Sequence, residues 1–156
     1  MRIAVGADHG GYGLKVALAE HLRTVGHEVE DLGTDDGRVS VDYPRYAEAV
    51  GRAVAAGRAD LGVCVCGTGI GVSIAANKVD GVRAALVHDV TGARLAREHN
   101  HANVLCFGGR TTGALTAVEA LDAFLATRPA HGRHDRRVKE IEAMERTGEH
   151  SLEVPA

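Results

Sequence analysis

The chain has 156 residues, enough for one domain with a sizeable core and too few for two ordinary ones. Hydrophobic residues make up 45% and charged residues 25%, the balance of a globular protein. The net charge of −3 argues against nucleic acid as a partner, no apolar run reaches the roughly 18 residues of a membrane span, and three cysteines form no disulfide framework. A cytoplasmic protein without a membrane or nucleic-acid partner is therefore expected. Met1-Arg2-Ile3-Ala4-Val5-Gly6 also lacks the apolar stretch of a signal peptide.

Ile3 to Ala7 reads as a first strand, closed by Asp8-His9-Gly10-Gly11. Gly13 to Val25 carries Leu14, Val16, Leu18 and Leu22 at helical spacing, and Gly26 stops it. Glu28 to Leu32 is a shorter, more polar strand, and 33–41 is a polar loop. Asp42-Tyr43-Pro44 starts a helix with proline at a position the first turn tolerates, running to about Ala56. Leu61 to Cys66 is a short run of apolar residues and cysteines, the signature of a buried parallel strand. A helix from Ile70 to Ala76, a strand from Val82 to Val87, a helix from Val90 to Glu98, a strand from Val104 to Phe107 and a helix from Ala114 to Ala126 follow. This alternation predicts an α/β fold: a doubly wound five-stranded parallel sheet, Rossmann-like with flavodoxin-type strand order, and helices on both faces. Arg133 to Arg146 forms an extra C-terminal helix with Val138, Ile141 and Met144 on one stripe. The expected unit is 1–146, followed by a frayed tail over 147–156.

Chemistry concentrates after the first and third strands. In an open α/β sheet ligands bind beyond the carboxyl ends of the strands, where strand order reverses; a flavodoxin-like order puts that point between strands one and three. One turn carries Asp8 and His9. The other is Cys66-Gly67-Thr68-Gly69-Ile70-Gly71, whose alternate glycines let backbone N–H groups approach a ligand. A thiol at Cys66, beside a helix N-terminus, should ionise more easily than a free one. The dinucleotide fingerprint fails because Val72 stands where its third glycine belongs, and no P-loop Gly-Lys-Ser/Thr follows. Cys64 and Cys66 lack a second pair to complete a metal site. Cys64 and Cys106 read as inert core residues. Asp8 taken alone could merely cap the first helix, and His99-Asn100-His101 could be a polar helix ending. His99 and Asn100 lie at the opposite edge of the sheet from Cys66, about 15 Å away along a ten-residue helix. If they act at the same crevice, they come from another subunit; Arg133 and Arg137 start on that far side too. Arg110, directly after the fifth strand, can serve its own crevice.

Gly6-Ala7-Asp8-His9-Gly10-Gly11, Asp42-Tyr43-Pro44, the cysteine–glycine turn with Ala75-Ala76-Asn77-Lys78, His99-Asn100 with Asn103-Val104-Leu105, and Gly132-Arg133-His134 with Arg137-Val138 resemble type B ribose-5-phosphate isomerase. That family also includes allose-6-phosphate and galactose-6-phosphate isomerases. The resemblance implies an aldose–ketose isomerase that uses no metal or other cofactor and forms a homodimer, sometimes a tetramer, with shared active sites. It implies Cys66 as the base moving a proton between C1 and C2 through a cis-enediolate; another branch uses a glutamate where this chain has Ser73. It implies Thr68 as the hydroxyl beside the thiol, and Gly67, Gly69, Ile70 and Gly71 as the enediolate-binding loop. It implies His99 as the ring-opening group with Asp8 opposite. His9, Arg133 and Arg137 are then phosphate contacts, and Asn100 and Arg110 further substrate contacts. The expected substrate is ribose 5-phosphate; allose 6-phosphate, galactose 6-phosphate or a tetrose phosphate would need the same chemistry, and a non-catalytic sugar-phosphate-binding regulator is the reading outside enzymes.

Overall fold

The computed structural model describes residues 1–147. Five parallel strands, β1 (Arg2–Ala7), β2 (Glu28–Asp31), β3 (Leu61–Cys66), β4 (Ala84–Leu86) and β5 (Val104–Gly108), form one sheet in the order β2-β1-β3-β5-β4. Helices α1 (Tyr12–Thr24), α2 (Tyr43–Ala55), α3 (Ile70–Ala76), α4 (Val90–Asn100) and α5 (Ala114–Ala126) link or follow the strands, and α6 (Arg133–Thr147) closes the described chain. The tail expected over 147–156 lies, from residue 148, outside the described residues.

Each strand divides its side chains between two cores, as period-two geometry requires. Ile3, Val5, Leu61, Val63, Val65, Leu105 and Phe107 pack with Leu14, Leu18 and Leu22 of α1, Ala93 of α4, and Leu121 and Phe124 of α5. Ala4, Cys64, Cys66, Val104 and Cys106 pack on the other face with Ala47, Val50 and Ala53 of α2 and Val72 and Ala76 of α3. The second core is built of small residues, so α2 and α3 approach the sheet closely: a Cβ on Gly62 would lie 2.6 Å from Val50.

The outer strands depart from the flavodoxin-type order, because β5 sits between β3 and β4. Its five residues are all buried, whereas the three residues of β4 are each half-exposed, so the fully apolar strand takes the interior place. The open edge of β4 is covered by one side chain. Asn77 Oδ1 accepts from the Ala84 N–H at 2.8 Å, and its Nδ2 donates to the Ala84 carbonyl at 2.9 Å, as a neighbouring strand would.

This order matters for the site. Right-handed crossovers send α1 and α4 to one face, where α5 also packs, and α2 and α3 to the other. β3 is thus flanked on both sides by strands whose following helices leave from the opposite face. The chain diverges on either side of Cys66, and the crevice lies among the turns after β1, β3 and β5.

Candidate active site

Three turns meet at the carboxyl end of β3 with little room for side chains between them. A Cβ on Gly11 would lie 2.6 Å from the Val65 carbonyl, and one on Gly109 would lie 2.7 Å from the Gly10 oxygen. Backbone bonds lock them together: Gly109 N–H donates to Cys66 O at 2.8 Å, and Arg110 N–H to Gly67 O at 2.9 Å. Glycine here permits backbone-to-backbone approach that any side chain would block.

Cys66 points to the α3 side of the sheet and is 4% exposed. Its Sγ accepts a hydrogen bond from the Gly69 N–H at 3.1 Å. Gly69 adopts φ 79°, a left-handed conformation that turns this N–H back toward the sulfur and starts α3 at Ile70. Thr68 is exposed beside it, with Oγ1 receiving the Ile70 N–H at 3.4 Å. The N–H groups of Ile70 and Gly71 fall in the first turn of α3, where a helix supplies no acceptor of its own. Arg110 lays its side chain against Gly67, 3.6 Å from where a Cβ would stand. Asp8, 7% exposed, accepts the Gly11 N–H at 3.0 Å through Oδ1. It therefore braces the turn ahead of α1, whose N-cap is Gly11. His9, half-buried, receives the Val41 N–H on Nδ1 at 3.2 Å. A single chain thus assembles Asp8, His9, Cys66, Gly67, Thr68, Gly69, Ile70, Gly71 and Arg110.

The other expected residues form a second cluster. His99 and Asn100 belong to the last turn of α4, which runs two residues further than expected and ends at His101, with φ 51° and its carbonyl receiving Arg83 Nε–H. Gly62 pairs with Val104 at the start of the strands, and Cys66 pairs with Gly108 at their end. The separation is about 13 Å at roughly 3.3 Å per residue. Since the Asn103 carbonyl accepts the Gly62 N–H, the chain just after α4 sits at the amino end of the sheet, away from Cys66. The His99 ring instead stacks on His134, centroids 4.4 Å apart and planes within 8°. Arg133 and Arg137 stand exposed on α6 on either side of that buried histidine. Burial, then electrostatic repulsion from the neighbouring His99, Arg133 and Arg137, hold the His134 imidazole below its ordinary value.

His134 was not among the expected site residues, although it lies four before Val138 on the same buried stripe of α6. Tyr43 was also missed; its ring packs on Gly71, where a Cβ would lie 2.6 Å from the ring. Cys64 and Cys106 are fully buried opposite one another in the sheet. The neighbouring Cys64 thiol, then burial, push the Cys106 thiol well above its ordinary value, in keeping with core cysteines. Among the described residues no group of His, Cys, Asp and Glu is placed to hold a metal ion, and no helix is long and apolar enough to cross a membrane.

A doubly wound sheet with a thiol, a glycine-rich turn, a carboxylate and a histidine gathered at its switch point is an arrangement suited to chemistry on a small molecule. The ribose/galactose isomerase family model matches residues 3–141, and the chain belongs to that family. It is 46% identical over 144 residues to ribose-5-phosphate isomerase B of Escherichia coli, covering 92% of this chain and 96% of that protein. It is 48% identical over 125 residues to galactose-6-phosphate isomerase subunit LacB of Clostridium acetobutylicum, covering 80% and 72%. The structure of Clostridium thermocellum ribose-5-phosphate isomerase B superposes with a TM-score of 0.93 at 45% identity, covering 96% of this chain and all of that one. The protein is an aldose–ketose isomerase.

Proposed function

We propose that the chain interconverts ribose 5-phosphate and ribulose 5-phosphate through a cis-enediolate, with Cys66 as the base. The observation that carries this reading is the Gly69 N–H held 3.1 Å from Cys66 Sγ within a glycine-rich turn. The thiolate removes the proton from C2 of the open-chain aldose and returns it to C1. The electron pair released at C2 becomes the enediolate, whose negative oxygen faces the N–H groups of the Gly67–Gly71 turn. Thr68 can carry the hydroxyl proton between O1 and O2. Because the sugar is mostly a closed ring, a separate acid–base group must open it first. His99 fills that role with Asp8 opposite, and Asn100 and Arg110 hold the hydroxyl groups.

With the end of α4 at the amino end of the sheet and the His99 ring stacked on His134 of α6, His99, Asn100, Arg133 and Arg137 would reach this crevice from a neighbouring copy. The apolar side chains Ile70 and Ile74 on α3, 54% and 58% exposed, are suited to cover by such a copy. Phosphate would then lie between His9 of one protomer and Arg133 and Arg137 of its partner, with remote binding energy aligning C1 and C2 over the sulfur. The similarity to a galactose-6-phosphate isomerase subunit supports a second reading, the same chemistry on a hexose phosphate. Comparing kcat/KM for four-, five- and six-carbon aldose phosphates decides between them. The five-carbon substrate is expected to lead, and a six-carbon substrate turned over faster would replace it.

A further inference from the structure

We infer that the loop between β2 and α2 fixes the tautomer of His9, with the backbone of Val41 as the positioning group. The Val41 N–H donates to His9 Nδ1 at 3.2 Å. An imidazole nitrogen that accepts an N–H carries no proton of its own, so the hydrogen of the neutral ring resides on Nε2. His9 is then offered to its ligand as a neutral Nε2–H donor, oriented by a main-chain group 32 residues away.

The loop is braced for this task. Thr34 N–H donates to the Ala7 carbonyl at 3.0 Å, and the buried Lys15 ammonium donates to the Thr34 carbonyl at 2.8 Å. Further on, Asp36 accepts the Arg38 N–H at 2.8 Å and its guanidinium at 3.0 Å. Two residues past Val41, Tyr43 opens α2 with its ring against Gly71. The short segment 41–43 therefore touches both the residue after Asp8 and the turn after Cys66. A main-chain donor suits the role, since its position is set by the loop's fold and not by a mobile side chain.

This inference rests on the proposed contact between His9 and the substrate phosphate, and the two can be tested apart. Nitrogen-15 NMR of the wild-type protein at roughly pH 8, where an ordinary imidazole is neutral, should show His9 protonated on Nε2. Val41→Pro, which removes the donor, should lose that preference. His9→Asn keeps an acceptor near the Nδ1 position but has no atom at Nε2, whereas His9→Gln does the reverse. In His9→Asn the Val41 amide should keep its slow hydrogen exchange while KM for ribose 5-phosphate rises about tenfold or more. In His9→Gln that amide should exchange faster while KM stays within a few-fold of wild type. A wild-type ring protonated on Nδ1, or a Val41 amide that exchanges equally fast in the Asn and Gln variants, overturns the inference even if Val41→Pro fails to fold. An Nε2–H ring together with an unchanged KM in His9→Asn upholds the tautomer and removes the phosphate contact instead.

Discussion

Replacing Gly69 by alanine should damage stability and turnover together, and the structure sets the scale of each. At φ 79° a Cβ costs about 1–2 kcal/mol in backbone energy alone. The added methyl would also meet Leu86 Cδ1, and would lie 2.8 Å from Phe107 C and 3.0 Å from Gly108 N. Leu86 can rotate away, but the other two atoms belong to the backbone of the fully buried β5 and cannot, which adds about 1–3 kcal/mol. The total is about 3 kcal/mol, or a fall in Tm of about 6–12 °C at fixed protein concentration. Because the Gly69 N–H would leave the sulfur, kcat should drop about 10²–10³-fold. Gly67→Ala is the control. The nearest atoms to its Cβ would be those of the flexible Arg110 side chain, at 3.6 Å, so Tm should move by less than about 2 °C. Urea or thermal denaturation of both variants, with isomerase assays, measures the contrast. If Gly69→Ala proves as stable as Gly67→Ala, the turn is not held as described.

Lys15→Met should leave the Asp31 carboxylate and the Thr34 carbonyl without the buried ammonium they share, costing about 2–3 kcal/mol, with an unchanged urea midpoint as the contrary result. The lowered His134 value has a definite sign: the folded state binds its proton less readily than the unfolded chain. This contribution to stability is full above the unfolded value near 6.5 and is lost as pH falls below it through the folded value. Protection of the α6 amides, measured relative to their intrinsic exchange rates, should then fall toward acid pH, less so in His134→Gln; greater protection in acid would reverse the sign. Mixing inactive Cys66→Ala with inactive His99→Asn should restore about a quarter of wild-type activity, because mixed dimers regain one intact site; no recovery after verified subunit exchange refutes the shared site.

What could be read from the residues follows a physical line. The all-apolar run before Asp8 and the Val-Cys-Val-Cys run before Gly67 carry their own signal, since strands buried on both faces must be apolar throughout. The cysteine–glycine turn was legible because its glycines meet needs that a side chain could not: Gly69 takes φ 79°, and a Cβ there would lie 2.8 Å from the Phe107 backbone. The order of β4 and β5 was misjudged because chain sequence does not encode which strands pair. The clue was the contrast between Val104-Leu105-Cys106-Phe107-Gly108 and the shorter Ala84-Ala85-Leu86. The end of α4 fell two residues late because His101 takes a left-handed cap, which a histidine does not advertise. His134 escaped notice as a ring neighbour of His99, since their stacking joins α4 to α6 across 35 residues of chain, a separation visible only once the helices are packed.

The central claim, that Cys66 moves the proton, is tested most directly by running Cys66→Ala with ribose 5-phosphate in heavy water and following carbon-bound deuterium by proton NMR. Wild-type protein should place deuterium at C1 of ribulose 5-phosphate or at C2 of the recovered aldose. The variant should bind the sugar phosphate with nearly unchanged affinity yet exchange no carbon-bound hydrogen above the uncatalysed rate. Exchange in the variant at the wild-type rate would assign the proton transfer to another group.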